Sequence, residues 1–422
     1  MKKVVLGGLA VFAVSALLAG CSSGAPAPTE KITLNFQSLA FADTTIAATQ
    51  AIVDDWNAKN PNVQVNLVQG SWDSVHDQLV TQFQGGTAPD IIHDESADIA
   101  GFAEQGYLAD LTPYLDKSVK DGITQDIWDS VTSSDGKIVA APTLLQTYVV
   151  FANTDALAKA GVSAPTGDTM SWDDFQSMAK KLTVGDQFGL GWGLKSPTAT
   201  VMNLALGFDG GFFNADGTKI DVGSAELEVP KRIHQMAYDD GSLDPVSLTQ
   251  SGGDVLPGFY GGKYALYVGG NYIAQQLTES APEGFNWEVL PPLAGSDNAA
   301  QAANPQTLSV AAESKHVKEA AQFINFYMSG DNLSKVSLGD WLIPSATAAR
   351  DAILASTNGD DGWAQAIASG NDLKKAPFQS ATNYPQWKDQ IATPALQQYL
   401  ANAISLDELQ KQLTDGWASV NG

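Results

Sequence analysis

The sequence predicts an α/β protein of two lobes, built on parallel sheet covered by helices. Three observations carry this reading. Short strand patterns and helix patterns alternate with brief connections between residues 31 and 92, the β-α-β-α-β order that favours a parallel sheet. About 400 residues remain once a leader is removed, more than one core usually supports. No internal repeat divides the chain, and its apolar content is globular rather than disordered.

The elements follow in order. Ile32, Leu34 and Phe36 alternate as a first strand, with Gln37-Ser38-Leu39-Ala40-Phe41 as the loop beyond it. Ile52, Val53 and Trp56 fall at helical spacing, and Asn60-Pro61 stops that helix. Val63, Val65 and Leu67 form a second strand. A loop with Ser71, Trp72 and Asp73 then leads to a helix through Val75, Leu79, Val80 and Phe83. Gly85-Gly86 ends the helix, and Pro89, lacking an N–H, prevents its continuation. Ile91-Ile92 is too short for a helix and fits a buried parallel strand. His93, Asp94, Glu95 and Ser96 follow at its carboxyl end, where open α/β sheets bind ligands. Capping of the next helix competes for each of the four singly; as a group they read as a cleft wall.

Further strands are expected at 149–151, 188–194, 264–268, 287–290 and 308–311, with helices at 199–206, 226–238 and 318–328. Asn153-Thr154-Asp155 caps the helix through Leu157, and Ser171-Trp172-Asp173-Asp174-Phe175 opens another. The strand at 264–268 runs into Gly269-Gly270-Asn271-Tyr272. Trp341-Leu342-Ile343-Pro344 reads as an apolar bend, and 394–417 as helical. The glycine-rich loop 207–213 lacks the Gly-Lys-Ser/Thr ending of a phosphate loop.

Lys2 and Lys3, the apolar stretch 4–18 and Leu18-Ala19-Gly20-Cys21 make residues 1–20 a secretory leader. The closing residues resemble a bacterial lipobox, which implies cleavage before Cys21 and lipid attachment there. An ordinary leader with a chance cysteine is the competing reading. Residues 21–30, with Gly24, Pro26 and Pro28, read as a flexible tether. Cys21 is the sole cysteine, so no intrachain disulfide and no cysteine-based metal cluster is expected. Loss of the leader takes the formal charge from −24 to −26, which disfavours nucleic acid and anionic lipid headgroups as partners. No later apolar run approaches the ~18 residues of a membrane span.

Together, the lipobox, Gly86-Thr87-Ala88-Pro89-Asp90-Ile91-Ile92, Gly106 through Leu111, Asn153-Thr154-Asp155, Trp172-Asp173-Asp174-Phe175, the stretch from Phe259 to Tyr272, Pro291-Pro292, the stretch from Ser314 to Phe326 and Ile343-Pro344 form an ordered set. That set resembles the extracellular solute-binding proteins of ABC importers, in the carbohydrate-binding family that includes maltose-binding protein. The resemblance implies a two-lobed periplasmic-binding-protein-like fold (type II), with a ligand cleft between lobes of 31–142 plus 303–342 and 143–302 plus 343–422. It also implies a secreted protein, lipid-anchored to the outer face of the cell membrane, which delivers a sugar or oligosaccharide to a membrane permease. A monomer without cofactor is expected. Ala152 stands where the family often has tyrosine, and Asn271-Tyr272 where tryptophan often follows the glycines.

The residues argue for binding rather than catalysis. Asp94 and Glu95 are adjacent, so an extended strand points them to opposite sides, a poor pair for a glycoside hydrolase. His76, His93, His234 and His316 are scattered, without metal-ligand spacing, and no Gly-x-Ser-x-Gly elbow occurs. A polyamine is the competing ligand. A sugar needs aromatic faces for its C–H surface and planar polar groups for its hydroxyls. The candidate ligand-binding set is Ser38, Trp72, Asp73, His93, Asp94, Glu95, Gln146, Tyr148, Trp192, Asn203, Gly270, Asn271, Tyr272 and Trp341. Trp56, Trp128 and Trp172, on helices, are assigned to cores.

Overall fold

The computed structural model describes residues 31–72 and 75–421. The leader, Cys21, the tether and Asp73 lie outside the described residues. The strands of the two main sheets are β1 (Ile32–Ser38), β2 (Val63–Gln69), β3 (Ile91–Glu95), β4 (Ala140–Pro142), β5 (Tyr148–Asn153), β6 (Phe188–Gly191), β7 (Tyr264–Gly270), β8 (Trp287–Val289) and β9 (Gln306–Val310). The first sheet has the order β2-β1-β3-β9-β4 and the second β8-β5-β7-β6.

In each sheet one strand runs against the rest: β9 in the first, β5 in the second. Both are the first strands after the chain enters from the other lobe. The parallel strands end at the cleft, so a chain arriving there from the hinge can only run away from it. This places Gln306, the first residue of β9, opposite Glu95, the last of β3. It likewise places Tyr148 opposite Gly270.

Strand periodicity fixes the second lobe's two-faced core. Val150 and Ala152 of β5 join Leu266 and Val268 on one face. Val149 and Phe151 join Tyr267 on the other. A separate core surrounds the first sheet, from Leu34 and Phe36 through Ile91, Ile92, Leu308 and Val310 to Phe323. Trp56, Trp128 and Trp172 are buried, as expected of core residues.

The chain crosses between lobes three times. Leu145 is in the first core and Val150 in the second; Ala302 is in the second and Ala303 back in the first. The last crossing differs from the expected boundary at 343. Leu144–Leu145 pairs antiparallel with Ile343–Pro344, which returns the chain to the first lobe. Ala346, Ala349 and Leu373 are buried in the first core, and Ala376 is the first residue of the second. Helices Gly330–Asp340 and Thr347–Thr357 were not read from the sequence.

The hinge is densely bonded. Gln301–Ala302 pairs in parallel with Leu373–Lys374, which ties two crossings together. The Gln301 side chain accepts from the Tyr148 N–H (2.8 Å) and donates to its carbonyl (2.9 Å), which ties in the third. Among the described residues no helix is long and apolar enough to cross a membrane.

Candidate ligand-binding site

A cavity of about 660 Å³ opens where the lobes meet. The first lobe contributes the loop and helix start after β1 (Phe41, Asp43, Thr44), Trp72, Glu95, Asp340 and Leu342. The hinge contributes Leu144, Gln146, Asn304 and Gln306, and the second lobe Tyr272, Gln275, Gln276 and Glu279. At its mouth the Gln275 amide donates to Thr44 Oγ1 across the lobes at 3.2 Å.

Each wall has a local cause. Phe41, 81% exposed, is held out by the turn between β1 and the helix Asp43–Lys59. Trp72 meets His93 edge-on, ring centres 5.5 Å apart. Tyr272 follows Gly270, where a Cβ would lie 2.3 Å from the Tyr272 ring and 3.1 Å from the Gln146 amide. Only glycine there lets both side chains converge. Asp340 is delivered by Gly339, whose close approach to Thr45 leaves no room for a methyl group (2.8 Å). Thr45 Oγ1 then donates to the Asp340 carboxylate.

Glu95 accepts from the Asn304 amide at 2.7 Å. The Asn304 oxygen accepts from Ser96 Oγ (2.8 Å) and from the Ala97 N–H (3.0 Å). One hinge side chain thus holds the end of β3. Burial, then repulsion from Asp98, raises the Glu95 carboxyl to about 7, against attraction by Lys388 and the Asn304 bond. Burial raises Asp340 to about 6, opposed by Thr45. Among the described residues no group of three or more histidine, cysteine or carboxylate side chains is placed to hold a metal ion.

Of the candidate residues, the structure brings Trp72, Glu95, Gln146 and Tyr272 to the cavity, with Gly270 beneath them. The others go elsewhere. His93 and Asp94 are buried because β3 runs on through Glu95 against β9. His93 Nδ1 accepts the Leu39 N–H (3.0 Å), so Nε2 carries the proton toward Gln306 Oε1 (3.0 Å). Burial keeps this ring neutral, lowering it to about 4. Asp94 Oδ1 accepts the Glu95 N–H, and Oδ2 is buried without a hydrogen bond among the described residues. Ser38 is buried and accepts the Ala40 N–H.

Trp192 is 1% exposed and stacks on Trp172 inside the second core, not on the cleft. Asn203 braces its helix against the hinge by accepting the Ala302 N–H. Tyr148, half-buried, packs on the second core. Asn271 is 1% exposed and knits the hinge. Trp341 stacks on Trp363 at 4.6 Å, pulled off the cleft by its left-handed backbone. Sequence reasoning missed Asp43, Gln275, Glu279, Asn304, Gln306 and Asp340. Phe41 had a signal, the loop after the first strand.

Two α/β lobes joined by three crossings, with a polar and aromatic cavity at the hinge, define a solute-binding architecture. Residues 42–332 match the model of the bacterial extracellular solute-binding proteins, and the chain belongs to that family. A lipoprotein of Streptomyces antibioticus, described as uncharacterised, is 42% identical over 95% of this chain and 90% of its own. The maltodextrin-binding protein of Bacillus subtilis is 25% identical over 81% of each. Among solved structures, the GacH receptor of Streptomyces glaucescens, described unliganded and with acarbose, superposes with a TM-score of 0.77 at 21% identity. That match covers 92% of this chain and 98% of the receptor. The sugar-binding protein MalE of Xanthomonas citri gives 0.79 at 20% identity, covering 92% and 97%.

Proposed function

We propose that this protein captures a sugar or oligosaccharide between its lobes, without altering it, and delivers it to the membrane permease of an ABC importer. The observation that carries the reading is the cavity itself. Three aromatic rings, Phe41, Trp72 and Tyr272, share one space with five side-chain amides, from Gln146, Gln275, Gln276, Asn304 and Gln306. Rings suit a sugar's C–H face, and an amide both donates to and accepts from hydroxyls. The names of the maltodextrin-binding and MalE relatives support the same ligand class. A lipid on Cys21 would hold the protein at the outer face of the membrane. Cys21→Ser is then expected to release it from the membrane fraction; wild-type protein found wholly in the soluble fraction would contradict the anchor.

Tyr272 tests the site. It is half-buried at the seam of both cores and lines the cavity. Tyr272→Ala is expected to weaken sugar binding by about 1–3 kcal/mol and to change unliganded stability by less than it changes affinity. Calorimetric titration beside a ligand-free melt checks this. A large melting loss with unchanged affinity would reassign Tyr272 to packing alone.

A further inference from the structure

We propose that the interlobe cavity selects sugars that carry a protonated amine over their neutral counterparts, an inference that rests on the sugar reading and narrows it. Four carboxylates face the cavity: Asp43, Glu95 and Asp340 from the first lobe and Glu279 from the second. No lysine, arginine or histidine lines it among the described residues. None of the four is in an ion pair among the described residues. Lys388, which attracts Glu95, lies outside the lining and sits 3.8 Å from Asp389.

The four acids have hydrogen-bonding neighbours but no ion-pair partner among the described residues. Asn304 donates to Glu95, Thr45 to Asp340 and Gln275 to Glu279. Asp43 opens a helix, where its charge favours the dipole. Enclosing these acids around a neutral ligand strips water from their charged forms without supplying a counter-charge, which costs free energy at low dielectric. An ammonium group supplies that counter-charge, and the rings of Phe41, Trp72 and Tyr272 add cation–π faces. The N–H groups of the five amides separate this ligand from a simple polyamine, whose protonated nitrogens offer donors but no acceptor for them. An anionic solute meets four acids and no basic side chain among the described residues.

The test is calorimetry and thermal shift on the purified chain with matched oligosaccharides that differ by hydroxyl or amine at one carbon. Cellobiose with its 2-amino analogue, and maltose and trehalose with theirs, make the set; spermidine serves as the sugar-free cation. The amine member of a binding pair should bind about tenfold tighter or more. Its advantage should shrink as ionic strength rises from about 0.05 M to about 0.5 M. Asp340→Asn and Glu279→Gln should each cost the amine member more affinity than the neutral one. Neutral members binding as tightly as amines, or tighter, would overturn the amine selection and leave the sugar reading standing. Spermidine binding while both sugar classes fail, or no binding by any member, would overturn both.

Discussion

Asn271→Ala is expected to remove about 2–5 kcal/mol of unliganded stability, because it leaves one buried and one partly buried backbone group without partners. Asn271 Oδ1 accepts the Thr147 N–H at 3.0 Å, and its Nδ2 donates to the Trp341 carbonyl. Its own N–H donates to the Thr147 carbonyl at 2.9 Å. Asn271 is 1% exposed and Thr147 0%, so the Thr147 N–H lies away from bulk water. The three segments it joins are the first crossing, the end of β7 and the bend before Ile343. Trp341 holds φ 54°, a left-handed conformation that a bulky residue adopts only under constraint. Removing the Asn271 bond loosens that constraint, leaving the stack on Trp363 and the surrounding apolar packing to hold it. Because Tyr272 is next in the chain, sugar affinity should fall as well. Denaturant unfolding of the ligand-free protein checks the prediction; a change below about 0.5 kcal/mol would show that Asn271 is dispensable at the hinge.

The second large effect is on pH. Burial first, then repulsion from Asp98 and Glu95, raises Asp94 to about 8, against the Glu95 N–H bond; its ordinary value is 3.8. Between those values the folded protein holds a proton that the unfolded chain has released. The stability this gives is complete below the unfolded value and is lost as pH rises through the folded one. Glu95, at about 7, and Asp340, at about 6, act in the same direction. His93, lowered to about 4 from 6.5, acts oppositely, its contribution rising with pH only up to 6.5. Above that the acids alone decide. Asp94 should therefore cost the wild type about 2 kcal/mol between roughly pH 6.5 and 8.5. Asp94→Asn should flatten that decline and melt higher than the wild type at the alkaline end. Parallel stability curves for the two proteins would mean that Asp94 ionises freely.

What the sequence showed and what it hid divide along contact distance. Tyr272 was legible because its cause is local: two glycines close a strand, and the next residues must emerge at the strand's end. Glu95 was legible for the same reason. His93 and Asp94 looked like cleft groups because polarity is visible in sequence. The strand that buries them, β9, begins 211 positions after Glu95 and left no local mark. Asp340 depends on Gly339 meeting Thr45, a contact between distant helices that neither segment announces. Trp192 and Trp341 show the reverse error, for aromatic residues beside strands and bends fill cores as readily as they line clefts. The third crossing escaped because Ile343–Pro344 reads as a turn away from the first lobe, yet pairs back onto Leu144–Leu145.

The central claim is that a sugar is held by both lobes at once. Hydrogen–deuterium exchange, with and without the sugar that raises the melting temperature most, tests it directly. The account predicts slowed exchange in four places together: 41–46 and 95–97 of the first lobe, 144–147 of the hinge, and 272–279 of the second lobe. Protection confined to one lobe, protection away from the cavity, or no sugar that shifts the melt would contradict it.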